Sequence, residues 1–217
     1  MHCSISLTNE ACDASVTRVQ GREPLREPKR ARGHSVLDTC RVLDGYQATG
    51  DTEAADLERM ARLAAGEADP WSRSLPLHFT ASALVLHPES RRVLLRWHVR
   101  HGRWLQVGGH GDPGESDPLL IALREAREET GLTDLVPWPD ASLRHVVVCH
   151  VPASATEPEH EHADLRYFLA TGEPDAIAPE DERSPLRWLS VDEARALVGG
   201  NNLRHTLDRA DAVLGHG

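Results

Sequence analysis

Apolar and polar positions change period several times along the chain, and each change marks an element. From His34 onward, Val36, Leu37, Cys40 and Leu43 recur at helical spacing, and Gly45 and Gly50 punctuate a turn. Asp51 or Thr52 then caps a second helix with Glu53 and Asp56 in its acidic first turn, Ala55, Leu57, Met60, Leu63 and Ala64 on its apolar side, and Gly66 at its end. Residues 34–70 therefore form a helical extension whose hairpin must pack on the following domain or on a second copy of the chain, the latter making a homodimer. A linker, GEADPWSRSLP, leads to a run in which Phe79, Ala81, Ala83 and Val85 alternate with Thr80, Ser82, Leu84 and Leu86, the mark of a mostly buried strand. RRVLLRWH pairs back across a turn at 88–90, and RWLQVGG reads as one short strand ending in glycines.

Past the glycines, Asp117 followed by Pro118 is a good N-cap and first-turn pair, and Gly131 suits a left-handed C-cap, so a helix is predicted over 118–130. A strand LRHVVVCHV follows, then an acidic, histidine-bearing loop running into a strand with Leu165, Tyr167 and Leu169 alternating. A second acidic loop, a strand through Leu186 to Leu189, a helix opened by Ser190 or Asp192, and a terminal helix from Asn201 complete the order. Residues 77–217 make one domain. Residues 1–33 are polar around a basic, proline-punctuated run, GREPLREPKRAR, and with few apolar anchors they are expected to be a disordered tail.

Composition narrows the partners. At 217 residues with 40% hydrophobic and 27% charged residues, the chain can bury one ordinary core. Its net charge of -10 argues against stable nucleic-acid binding, though not against a small phosphorylated substrate whose charge a metal ion neutralises locally. Cys3, Cys12, Cys40 and Cys149 form no paired motif and suit reduced thiols. No apolar run approaches the ~20 residues that span a bilayer, and no apolar leader opens the sequence, so a cytoplasmic protein without a membrane partner is expected.

The chemistry concentrates in Gly109 to Leu132, GHGDPGESDPLLIALREAREETGL. At ~100° per residue, Glu125, Glu128 and Glu129 share one arc of the helix, with Leu119, Leu120, Leu123 and Ala126 expected on the opposite, apolar side. Like charges at i,i+3 and i,i+4 repel, and anions in a last turn oppose the helix dipole. A divalent cation bound by oxygen ligands turns both liabilities into an asset. The glycines before the helix let the main chain approach a ligand closely.

This run is similar to the Nudix box of the Nudix hydrolases, Gx5Ex7REUxEExGU, where U is bulky and apolar. Gly109, Glu115, Arg124, Glu125, Glu128, Glu129, Gly131 and Leu132 match in order. Ala126 takes the U between Glu125 and Glu128, and eight residues instead of seven separate Glu115 from Arg124. The extra residue fits in the loop before Pro118, which leaves the helical acids in register and lets Glu115 still pair with Arg124. The resemblance covers about residues 77–200. It implies an α/β fold, the Nudix-type α/β/α sandwich with a mixed sheet, here preceded by the N-terminal helical hairpin.

The activity it implies is hydrolysis of a diphosphate bond in a nucleoside diphosphate linked to another moiety X, with water attacking phosphorus and Mg²⁺ or Mn²⁺ as cofactor. Glu129 and Glu125 are then metal ligands, Glu128 is a ligand or the base, and the main-chain oxygen of Gly109 is a further ligand. Arg124 orients the carboxylates, and Glu115 and Gly131 are structural. Family members take their general base from the box or from a later loop, where Glu182, beside Glu180 and Asp181, stands. His110, inside the glycine loop, lies near phosphate by position. His160 and His162 would present both rings to substrate if their HxH lay on a strand, but flanked by Glu157, Glu159 and Glu161 they are expected to line a solvated loop. Trp97, Trp104 and Trp138 are expected in the core. Two other readings compete: a nucleotide-sensing module of the same fold without turnover, favoured only by the longer gap, and isopentenyl diphosphate isomerase chemistry, which lacks its cysteine near the box.

Overall fold

The computed structural model describes residues 35–155 and 157–215. The expected tail at 1–33 lies outside them. The chain opens with two helices, α1 (Ser35–Asp44) and α2 (Asp51–Gly66), and enters a mixed sheet at β1 (Leu77–His87). Gly50, with φ 89°, is the N-cap of α2, so neither Asp51 nor Thr52 performs the capping expected of it. Its place is taken from inside the first turn, where the Glu53 carboxylate reaches back to accept a hydrogen bond from the Thr49 N–H at 2.6 Å.

β1 turns into β2 (Arg92–His98), its antiparallel partner over Val85 to His87. The single short strand expected at RWLQVGG is two. β3 (Arg103–Leu105) pairs with β2, and β4 (Val107–Gly109) pairs with β1 at Ala81 to Ala83. The break falls at Gln106, where the chain passes from one neighbour to the other and the side-chain amide donates to Ser82 Oγ at 3.2 Å. α3 (Pro118–Thr130) follows, then β5 (Val136–Pro137), β6 (His145–Val151) and β7 (His160–Ala170). β7 lies parallel to β1 from Leu77 opposite Glu161 to Leu86 opposite Ala170. β8 (Leu186–Ser190) pairs with β2. Ser190 caps α4 (Val191–Leu197) in a capping box with Glu193, and α5 (Asn201–Gly215) ends the described chain.

Alternation on β1 and β7 gives the sheet two cores. Phe79, Ala81, Ala83 and Val85 with Ala163, Leu165, Tyr167 and Leu169 face Ile121, Ala122, Leu123 and Ala126 of α3, and Leu43, Met60 and Leu63 of the N-terminal hairpin join them. Leu84, Leu86 and Phe168 on the other face meet Ala194 of α4 and Leu203, Leu207 and Ala210 of α5. Helices on both faces of a mixed sheet make the α/β/α sandwich. The hairpin packs on its own domain.

α2 also covers a sheet edge. β6 is bonded to β7 alone, so its outer N–H groups need acceptors. Asp56 takes the Val148 N–H at 3.0 Å, and Arg59 pairs with Glu161 of β7 beyond. Glu53, only 5% exposed, is held by the Arg209 guanidinium of α5, with Nη2 at 2.6 Å, and by the Tyr46 hydroxyl. Burial pushes the Glu53 carboxyl up, yet the Arg209, Tyr46 and Thr49 hydrogen bonds outweigh it and hold it well below its ordinary 4.5. A depressed carboxylate contributes stability that is fully present above its unfolded value and is lost as pH falls towards the folded one. Glu53→Gln leaves Arg209 without its counter-charge and should cost about 3 kcal/mol, the low end for a broken buried pair because Arg209 keeps 25% exposure. Thermal melts should show a drop of roughly 6–12 °C at neutral pH, shrinking as both proteins are titrated below about pH 4.5.

Candidate functional site

The start and stop of α3 are fixed locally. Asp117 Oδ1 accepts from the Leu119 and Leu120 N–H groups, Pro118 opens the helix, and Gly131 at φ 72° closes it with its N–H on the Arg127 carbonyl. Which side faces the sheet differs from the expectation. Leu120 is exposed, while Ile121, Ala122, Leu123, Ala126 and Thr130 are buried. Ile121 lies one turn before Glu125, and Ala122 lies next to the same arc, so Glu125 and Glu129 belong to the buried side rather than opposing it. Their side chains retain 15% and 13% exposure, while Glu128 at 53% faces outward.

Two carboxylates on a buried face need partners. Glu129 accepts from the Gly108 N–H at 3.0 Å and pairs with Arg96 Nη1 at 3.0 Å. Burial nonetheless pushes its carboxyl up to about 7, against the pull of Arg96 and the Gly108 N–H. Burial likewise raises Glu125, which Arg124 draws back. Arg124 ties the helix to the glycine loop. Its Nη1 reaches Glu125 at 3.0 Å and Glu128 at 2.9 Å, its Nη2 donates to the His110 carbonyl at 2.8 Å, and its Nε donates to Glu115 at 3.0 Å. Glu115 therefore reaches Arg124 despite the longer gap, and it also accepts the Asp112 N–H.

A Cβ at Gly108 or Gly109 would meet atoms already in place. A Cβ on Gly109 would stand 2.8 Å from the Glu125 carboxyl, so the main chain lies directly against that carboxylate. A Cβ on Gly108 would meet Ser82 Cα and Cβ at 2.4 Å, in a backbone with φ 144°. The donors on this side of the helix, the Glu125 and Glu129 carboxylates with Glu128 at the exposed rim and the Gly109 main chain, are all hard oxygens, which suits a magnesium-like cation and no soft metal.

Glu182, the loop acid considered as a base, is exposed at a turn. Glu180 is the acid of that loop that approaches the helix, 3.7 Å from Arg96 and so linked through it to Glu129. Arg96 itself was legible only indirectly, as a charge two residues from Leu94 on the core-facing side of β2. His160 and His162 lie in β7, not in a solvated loop, because β7 begins ten residues before Ala170 and pairs with β6 from His160 to Arg166 and with β1 from Glu161 to Ala170. Their Nε2 atoms are 3.1 Å apart. His78, opposite His162 in the register, and His110, 3.1 Å from His78, complete a group of four rings. Burial drops His110 to about 3 and His162 to about 4, and lowers His78, so these three of the four rings are neutral near pH 7. Of the tryptophans, Trp104 and Trp138 pack against the α4–α5 core, and Trp97 packs edge-on against Trp104.

A family model described as the NUDIX domain matches residues 76–210. The chain is 28% identical over 139 residues to a CMP-5'-(N-acetyl-N-hydroxy-3-aminopropyl)phosphonate hydrolase of Streptomyces rubellomurinus, across 59% of this chain and 62% of that protein. It therefore spans about three-fifths of the length of this curated relative. Among solved structures, a C. elegans Ap4A hydrolase binary complex superposes with a TM-score of 0.52 at 19% identity, covering 64% of this chain and 98% of that one. A NUDIX-family hydrolase from Clostridium perfringens gives 0.49 at 24% identity, over 64% and 97%.

The two glycines should respond differently to a methyl group. Gly108→Ala meets main chain and a left-handed φ, and should cost about 2–4 kcal/mol. Gly109→Ala meets the end of a side chain that can swing aside, and should stay within about 1 kcal/mol of the parent. Denaturant unfolding of both variants checks the contrast.

Proposed function

Since this chain belongs to the NUDIX family, we propose that it hydrolyses a diphosphate bond in a nucleoside diphosphate linked to another moiety X, with Mg²⁺ or Mn²⁺ held by the acids of α3. The observation that carries this reading is the burial of Glu125 and Glu129 on the sheet-facing side of α3 against Gly108 and Gly109. An acid whose ordinary value is 4.5 and that burial lifts to about 7 destabilises the fold when ionised. A cation bound there relieves that penalty, which gives the placement a use.

Each residue has a role in this proposal. Glu129 and Glu125 supply carboxylate oxygens to the cation, with the Gly109 carbonyl beside them. Glu128, the most exposed of the three, is a further ligand or takes the proton of the attacking water. Arg124 holds Glu125 and Glu128 in position from the loop side, and Glu115 fixes Arg124 in turn. Glu180, next to Arg96, is the better placed loop acid for the alternative base, and Glu182 is retained only as its neighbour. When bound, the cation neutralises the diphosphate oxygens and lowers the pKa of water at the site. The relative whose name joins CMP to a phosphonate supports including nucleotide phosphonates among candidates for X, beside sugar nucleotides, ADP-ribose and dinucleoside polyphosphates.

A panel of such compounds, assayed with Mg²⁺ or Mn²⁺ for nucleotide and X-phosphate release, tests the proposal. Turnover of at least one class is expected, reduced roughly 100-fold or more in Glu129→Gln. Binding without turnover across the panel, or equal rates in that variant, overturns it in favour of a sensing module. Gly109→Ala should bind Mn²⁺ more weakly while remaining folded. Glu115→Gln should lower the melting temperature by about 2–4 °C, the equivalent of 1 kcal/mol in a chain of this size, and slow turnover; unchanged stability and rate would remove Glu115 from the site.

A further inference from the structure

None of the four histidines is a cation ligand in that chemistry, which uses oxygen donors alone. We propose that His78, His160 and His162 form a second metal site, for a first-row transition ion of the zinc type. The inference stands apart from the hydrolase reading, since it rests on different side chains and on nitrogen rather than oxygen ligands.

Strand pairing builds the group. β7 puts residues 160 and 162 on one face, and the parallel register sets His78 of β1 opposite His162. That face is the one turned away from α3, since Phe79 and Ala163 between them point into the α3 core. One ring nitrogen from each of the three lies within 4.8 Å of the other two, and His160 and His162 already approach to 3.1 Å. A tetrahedral zinc with Zn–N near 2.0–2.1 Å sets its ligands about 3.3 Å apart, so the His78 ring, stacked on that of His160 at 5.3 Å between centroids, has to turn and close on the pair.

The outer hydrogen bonds are those a metal ligand requires. His78 Nδ1 donates to the Leu75 carbonyl at 2.9 Å, and His160 Nδ1 donates to the Pro158 carbonyl at 2.8 Å. A carbonyl only accepts, so the proton sits on Nδ1 in both rings and Nε2 keeps its lone pair, that of His160 towards His162 and that of His78 towards His110. Two such lone pairs beside a third imidazole form a set of nitrogen donors that prefers zinc, copper or nickel to magnesium. Asp164, two residues further on the same face, is engaged elsewhere, by Arg166, Thr80 and Ser82.

The group is also reachable. His78 and His160 line a cavity of about 290 Å³ together with Arg73, Leu75, Glu157 and His110. With two of the three ligands, His78 and His160, on the cavity wall, a coordination position is left for water or a ligand, the arrangement of an accessible rather than a closed zinc site. His110 links the two centres, since its ring touches His78 and its carbonyl takes the Arg124 guanidinium.

The test uses the full, untagged chain, stripped with chelator and then equilibrated with Zn²⁺ in a large excess of Mg²⁺ that saturates the carboxylates. One zinc per chain should remain after dialysis, and Co²⁺ in its place should give visible d–d absorption of a low-coordinate ion. His160→Gln and His162→Gln should each weaken zinc binding roughly tenfold or more, with circular dichroism checking that each variant is folded. Glu129→Gln should bind zinc as the parent does. Failure to retain zinc over magnesium, parent-like retention in both histidine variants, or loss in Glu129→Gln with retention in His160→Gln would each overturn the proposal. None of these readouts depends on turnover, so they leave the hydrolase reading to its own assay.

Discussion

The parallel pairing of β1 with β7 runs from Leu77 opposite Glu161 to Leu86 opposite Ala170, and the position of nearly every other element follows from it. With both strands buried along most of their length, alternation sends one set of side chains to the α3 core and the other to the α4–α5 core. β1 has a second edge to fill, and β2 and β4 share it, each taking a different half. That division brings Gly108 and Gly109 alongside Ala81 and Ser82, and it does so at a separation no Cβ could tolerate at Gly108. The glycine loop is thus held by a sheet, not merely by its own turns, and α3 can set its acids against it.

The acids and the core compete for the same side of α3. Apolar burial along Ile121, Ala122 and Ala126 draws the helix onto the sheet, and Glu125 and Glu129 are carried with it. Two arginines moderate the charge: Arg124 from the helix itself and Arg96 from β2. The helix also ends against its own dipole at Glu128 and Glu129, so Glu129 is opposed twice, by burial and by position, and Glu128 by position alone. The cation proposed for this site would offset both penalties.

What was legible in the sequence was what short-range chemistry fixes. Asp117, Pro118 and Gly131 set the bounds of α3 without help from the rest of the chain, and Ser190, one of the two caps expected there, opens α4. The strand alternation from Phe79 to Leu86 also needed no distant partner. The failures have a common cause. Whether Leu120 or Ile121 faces the core depends on how α3 is rotated against the sheet, which periodicity leaves open when acids and apolar residues share an arc. His78, Arg96 and Glu180 gained their roles from residues 84, 33 and 84 positions away or more loosely through an intermediary, and a lone charged or aromatic residue in a strand gives no hint of such a partner. His160 and His162 were misjudged because their acidic neighbours resembled a loop, whereas the strand begins at His160, after Glu157 and Glu159, and takes Glu161 onto its opposite face.

The clasp between Glu53 and Arg209 has a consequence for where this protein begins and ends as a folding unit. The NUDIX match starts at residue 76, after the hairpin, and closes at 210, inside α5. A fragment excised at those borders would keep the whole sheet but lose the helix that lies over β6, and Val148 would present a bare N–H along an open strand. Arg209 would be left at the end of a shortened helix without its anion. Such a fragment would invite strand-to-strand association between copies, so the hairpin serves this chain as a guard against self-adhesion.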